Sequence, residues 1–125
     1  VLGGNVDDHN KNFSFLMGND GGWHVAPAYD YTFSVDPDAP YYVNRHSMTV
    51  NNKTEGIAAE DLMEVARRYG IKAAEPFIEK AIGIVSRYPE YGREAGVGEE
   101  WIKTIEKEIT ARVECVSDNR TGRLK

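Results

Sequence analysis

The sequence predicts a mainly α protein that carries one small β-hairpin. Two observations carry that prediction. The chain changes composition at about Asn52, from a half rich in Gly, Asn, Asp, Tyr and Phe to a half rich in Ala, Glu, Ile, Lys and Arg. The second half also repeats apolar residues at helical spacing, while the first carries one short alternating segment and its return. With 125 residues the chain suits a single domain, divided at residues 1–52 and 53–125.

In the first half, Phe13–Met17 reads as a strand and Trp23–Ala26 as its partner. Gly18-Asn19-Asp20-Gly21-Gly22 forms the turn between them, because Gly, Asn and Asp tolerate positive φ. Pro27 stops the second strand, since proline has no N–H for a ladder. Asp36–Pro40 is a loop, Ser47–Val50 a further short strand, and Asn51-Asn52 a turn.

In the second half, Leu62, Val65, Ala66 and Tyr69 make one apolar stripe, and Gly70 stands at the C′ position after it. A second helix begins near Glu75-Pro76, buries Phe77, Ile78, Ala81, Ile82 and Val85, and ends at Pro89. Tyr91 to Gly98 is a connector. A third helix starts near Glu99, where acids suit the helix dipole, and buries Ile102, Ile105, Ile109, Val113 and Val116. Ser117–Lys125 is polar and frayed.

The formal net charge of −5, with Lys72, Lys80, Arg87 and Arg93 interspersed among Glu75, Glu79, Glu90 and Glu94, argues against direct nucleic-acid binding. Cys115 is the only cysteine, which fits a reducing cytoplasm, and its place in an apolar helical pattern reads as core. No apolar run is long enough to span a bilayer. His9, His24 and His46 lack the close spacing of a zinc site.

The chemistry concentrates in Asn5-Val6-Asp7-Asp8-His9-Asn10-Lys11-Asn12, just before the hairpin, and in Asp30 just after it. A hairpin brings its two ends together, so Asp7, Asn12 and Asp30 are expected to converge. Carboxylate and carboxamide oxygens suit Mg²⁺, which completes its shell with water and substrate phosphates. Asp7 to Asn12 has the D-x-x-x-x-N spacing of a kinase catalytic loop, where one Asp accepts the proton of the attacking hydroxyl. Lys11 is placed to neutralise a transferring phosphoryl group. The glycine clusters at Gly3-Gly4 and Gly18–Gly22 match neither phosphate-binding motif. Tyr29, Tyr31 and Phe33 are expected to pack rather than to face a ligand.

The string Asp7-Asp8-His9-Asn10-Lys11-Asn12-Phe13-Ser14 resembles the D-x-H-x-K-N-x-S motif of HipA-like serine/threonine kinases, and Pro27-Ala28-Tyr29-Asp30 resembles the P-x-Y-D segment that follows it there. The resemblance is close over the first 30 residues and loose beyond. It implies the C-lobe of a protein-kinase-like fold with ATP and Mg²⁺ as cofactors. Asp7 would be the catalytic base, Asn12 and Asp30 the metal ligands, Lys11 a phosphate-stabilising group, and His9 a brace for the loop. It also implies a cytoplasmic toxin that phosphorylates a protein, such as an aminoacyl-tRNA synthetase, and that pairs with a DNA-binding antitoxin. Asp8 departs from the family pattern, which often has Gly there. The Gly-rich lid and the strand Lys with its helix Glu are absent from these residues and are expected before Val1.

Two other readings stand beside this one. Aminoglycoside- and choline-type kinases share the loop but usually carry His where this chain has Asn5. A non-catalytic interaction module with a vestigial site is the third, and the intact Asp7, Asn12 and Asp30 set argues against it.

Overall fold

A computed structural model describes residues 1–117. It shows a short antiparallel hairpin followed by four helices: β1 (Phe15–Met17), β2 (Trp23–Val25), α1 (Ala59–Arg68), α2 (Ala74–Val85), α3 (Tyr88–Glu94) and α4 (Glu99–Ser117). Phe15 pairs with Val25, Leu16 with His24 and Met17 with Trp23. The turn is held by Gly18 N–H to the Gly22 carbonyl and by Gly22 N–H to the Asp20 carboxylate. The mainly α class with one hairpin is therefore as the composition predicts.

The core lies away from the hairpin. Leu2, Ala59, Ile78 and Val116 form its centre, with Leu62, Ala81, Ile82, Val85 and Val113 packed around them. The start of the chain is thus sealed by the far end of α4. Ile102, Ile109 and Val116 are the buried residues of the predicted α4 stripe, while Ile105 and Val113 are half-buried. No helix among the described residues is long and apolar enough to cross a membrane.

Several local predictions need correction. Pro89 does not end α2; it sits in the first turn of α3, where a missing N–H costs nothing because those donors have no intrahelical partner. The first half of the connector expected from Tyr91 to Gly98, Tyr91–Glu94, is therefore helix, and the helices number four among the described residues. Gly92 is tolerated inside α3 because Ile102 packs onto it: a Cβ there would stand 3.1 Å from Ile102 Cγ1. Ser47–Val50 is not a strand; only a single bridge, Val50 to Lys53, forms. The Ser47 and Met48 N–H groups bond instead to the Val6 carbonyl and the Asp8 carboxylate. Cys115 is exposed because it flanks the buried stripe of α4 rather than lying in it. Phe77 and Tyr69, assigned to apolar faces, are also exposed, each at 72%. The fraying expected for Ser117–Lys125 concerns residues that, after Ser117, lie outside those described.

The Asn51-Asn52 turn forms as expected, with both residues at positive φ (50° and 63°). Asp61 ties this turn to α1. Its carboxylate accepts from Asn51 Nδ2 (2.9 Å), Lys53 Nζ (2.7 Å) and the Ala58 N–H (2.9 Å). The last of these satisfies an orphan donor at the helix start. Burial pushes the Asp61 carboxyl up, but Lys53, Asn51 and the Ala58 N–H outweigh it and hold it below its ordinary value of 3.8. A carboxyl lowered by folding stabilises the fold above its unfolded value, and that contribution disappears as pH falls through the folded value. Urea unfolding of wild type and Asp61→Asn should show a clear stability gap at pH 7 that narrows below pH 3.8. A gap independent of pH would mean that the Asp61 charge contributes nothing.

Candidate functional site

The polar loop preceding the hairpin is built on a left-handed residue. Gly4 has φ +68°, and a Cβ there would meet the Phe33 ring at 2.7 Å. Glycine thus lets the chain pass under Phe33 and enter the loop extended. Tyr31 packs by its hydroxyl against Gly3. Of the three aromatics around Asp30, Phe33 is half-buried as expected, whereas Tyr29 and Tyr31 are exposed and line the cavity beside Asn12.

Ser34 holds the loop from one side. Its hydroxyl accepts from the Val6 N–H (2.9 Å) and the Asp7 N–H (3.0 Å), while its own N–H donates to the Gly4 carbonyl (3.0 Å). Residues 10–12 form one turn of 3-10 helix, closed by Asn12 N–H to the His9 carbonyl. Within it the Asn12 carboxamide nitrogen donates to the Asp7 carbonyl at 3.2 Å. That bond leaves the Asn12 carboxamide oxygen as an acceptor.

The hairpin does return the chain to this loop. Ala26 N–H donates to the Ser14 carbonyl (2.9 Å), and the Tyr29 hydroxyl donates to the Lys11 carbonyl (2.6 Å). Asp30 follows directly, at φ 52°, a left-handed conformation that Asp adopts at less cost than most side chains. Asp7, Lys11 and Asp30 are exposed and Asn12 is half-buried. The carboxylates of Asp7 and Asp30 and the Lys11 ammonium have no partner among the described residues. A cavity of about 340 Å³ opens beside Asn12, Asp8, Ser14, Pro27 and Tyr29. Asp7, Lys11 and Asp30 are not among the residues lining it.

His9 does not brace the loop through its Nδ1, which is buried without a hydrogen-bond partner. The side-chain bonds that hold the loop come from Ser34, Tyr29 and Asp8. The Asp8 carboxylate accepts from His46 Nδ1 (2.8 Å) and from the Met48 N–H (3.1 Å). Burial pushes the Asp8 carboxyl up, yet these donors bring it below its ordinary value, so it is ionised at neutral pH. Burial pushes the His46 imidazole down, and the bond to Asp8 does not restore it, so the ring is largely uncharged at pH 7. Its partners are consistent with a proton on Nδ1 and an acceptor at Nε2, which faces Arg112 Nη1 of α4 at 3.5 Å. Ser34, His46 and Arg112 carried no signal in the sequence; Asp8 was visible only as a departure from a motif.

Among the described residues no three His, Cys, Asp or Glu side chains gather into a metal-holding group. Any cation here would take few protein donors. Asn12 and Asp30 offer the hard oxygens that suit Mg²⁺ under that condition.

The family model for the HipA-like C-terminal domain matches residues 1–109. Comparison with curated proteins and with solved structures finds no match. The match spans the loop, the hairpin, Asp30 and most of the helices, and the chain belongs to the HipA-like C-terminal domain family.

Proposed function

We propose that this chain supplies the catalytic loop and metal-binding part of an ATP-dependent serine/threonine kinase. The observation that supports it most is the 2.6 Å bond from Tyr29 to the Lys11 carbonyl, which ties the Asp7–Asn12 loop to the segment bearing Asp30. In this reading Asp7 accepts the proton of the attacking hydroxyl, for which its exposed, unpartnered carboxylate is suited. Lys11 offsets negative charge on the transferring phosphoryl group. Asn12 and Asp30 hold Mg²⁺, which when bound neutralises the nucleotide phosphates. The oxygen of the substrate hydroxyl bonds to the γ-phosphorus as the bond to the β–γ bridging oxygen breaks.

A protein substrate, with an aminoacyl-tRNA synthetase as the model target, and a DNA-binding antitoxin as partner belong to the same proposal. The full-length protein carrying this chain should transfer label from γ-labelled ATP to serine or threonine when Mg²⁺ is present, and chelation should stop it. Label appearing on an aminoglycoside or on choline instead would favour a small-molecule kinase. No transfer to any acceptor by folded protein would leave a non-catalytic module. Asn12→Ala should lower the rate by about 10²-fold or more, because it removes a metal oxygen and also the bond to Asp7.

A further inference from the structure

Asp8 stands beside the proposed base yet is used quite differently. Asp7 is exposed, whereas both oxygens of Asp8 are engaged, Oδ2 by His46 Nδ1 and Oδ1 by the Met48 N–H. A carboxylate so occupied has little left to offer a cation or a substrate proton. Its donors are themselves anchored. The His46 side chain is buried, the His46 backbone N–H donates to the Thr54 carbonyl (2.9 Å), and the Ser47 backbone N–H donates to the Val6 carbonyl (2.9 Å). His46 Nε2 then faces Arg112, 66 residues further along the chain. Backbone and side-chain contacts thus join the loop to residues 46–48, and His46 joins those to α4.

We propose that Asp8 is a positioning residue: through His46 and Arg112 it clamps the Asp7–Asn12 loop to α4 and so fixes where the Asp7 carboxylate stands. This deepens the kinase reading and rests on it for its catalytic consequence. The physical reason is orientation. Asp7 carries no side-chain bond of its own among the described residues, so its position is set by its backbone. Ser34 holds that backbone on one side and Asp8 on the other. A displacement of about 1 Å at a reacting group costs on the order of 10²-fold in rate.

The test uses Asp8→Asn in the full chain. This change removes the charge and keeps the shape. Turnover should fall about 10- to 100-fold. KM for ATP and the Mg²⁺ dependence should stay within about twofold, because the phosphate ligands are untouched. Amide exchange should speed up at residues 5–12 and 46–48 while α4 keeps its protection. His46→Leu should match Asp8→Asn. His46→Asn, whose amide nitrogen can replace Nδ1, should recover about tenfold over His46→Leu; this pair also decides the matter if Asp8→Asn does not fold. Unchanged turnover with unchanged exchange would overturn the clamp. A rise in Mg²⁺ requirement together with KM would overturn it too, in favour of a metal ligand. If wild type transfers no phosphate, the kinase reading fails separately, and the exchange data alone decide whether Asp8 anchors the loop.

Discussion

Asp7→Ala should eliminate measurable phosphate transfer in the full-length protein while leaving its circular dichroism spectrum unchanged. The two halves of that expectation have different grounds. Removing a general base costs about 10² to 10⁴ in rate, and no neighbouring carboxylate stands ready as a replacement, since Asp8 is bound to His46 and Met48. The fold should be indifferent, because the Asp7 side chain is exposed and makes no bond among the described residues. Exposed substitutions of that kind usually change stability by less than about 0.5 kcal/mol. Asp30 should behave alike, with Asp30→Asn the better variant because Asn also accepts the left-handed conformation seen at φ 52°. Transfer above about a tenth of wild type by well-folded Asp7→Ala would remove Asp7 from the role of base.

Ile102→Ala should give the largest loss of stability of any single truncation in α4. Ile102 is fully buried, at 0% exposure, and its side chain lies against Gly92 of α3. Truncation deletes buried methyl groups and leaves a cavity between two helices, a change worth about 2–5 kcal/mol. For a domain of this size that lowers Tm by on the order of 10 °C. A fall of less than about 2 °C, measured by thermal circular dichroism, would mean that the α3–α4 contact relaxes to fill the space.

The hairpin, α1, α2 and α4 were legible because each is written locally, as turn residues or as a stripe at helical spacing. The errors share a cause. Intrinsic preference makes Pro89 a helix stop and the glycine-bearing Tyr91–Gly98 stretch a connector, but proline suits the first turn of a helix as well as its end. A glycine inside a helix can also be explained by the side chain that lies on it, which here comes from Ile102 in the next helix. Cys115, Phe77 and Tyr69 show that helical periodicity names a face without saying how wide a stripe a neighbour covers. At the site, Asp7, Lys11, Asn12 and Asp30 were nominated by motif. The bonds that organise them come from Ser34, Tyr29 and His46, and those act across 27, 18 and 38 residues. No local pattern encodes such a pairing.

The packing of Leu2 against Val116 has a consequence for how the molecule acquires its shape during synthesis. That contact closes nearly the whole described chain into one loop, so its entropic cost must be met before any stabilisation is gained from it. Leu2 therefore waits for α4 before its side of the core can close. Until α4 has emerged, Leu2 lacks a seal and His46 lacks Arg112, so the polar loop between them has a hairpin to lean on but no finished floor. Helices α1 and α2, whose stripes are local, can pair earlier. The Asp7–Asn12 loop thus gains its full support only once α4 is in place, although it precedes α4 by nearly ninety residues.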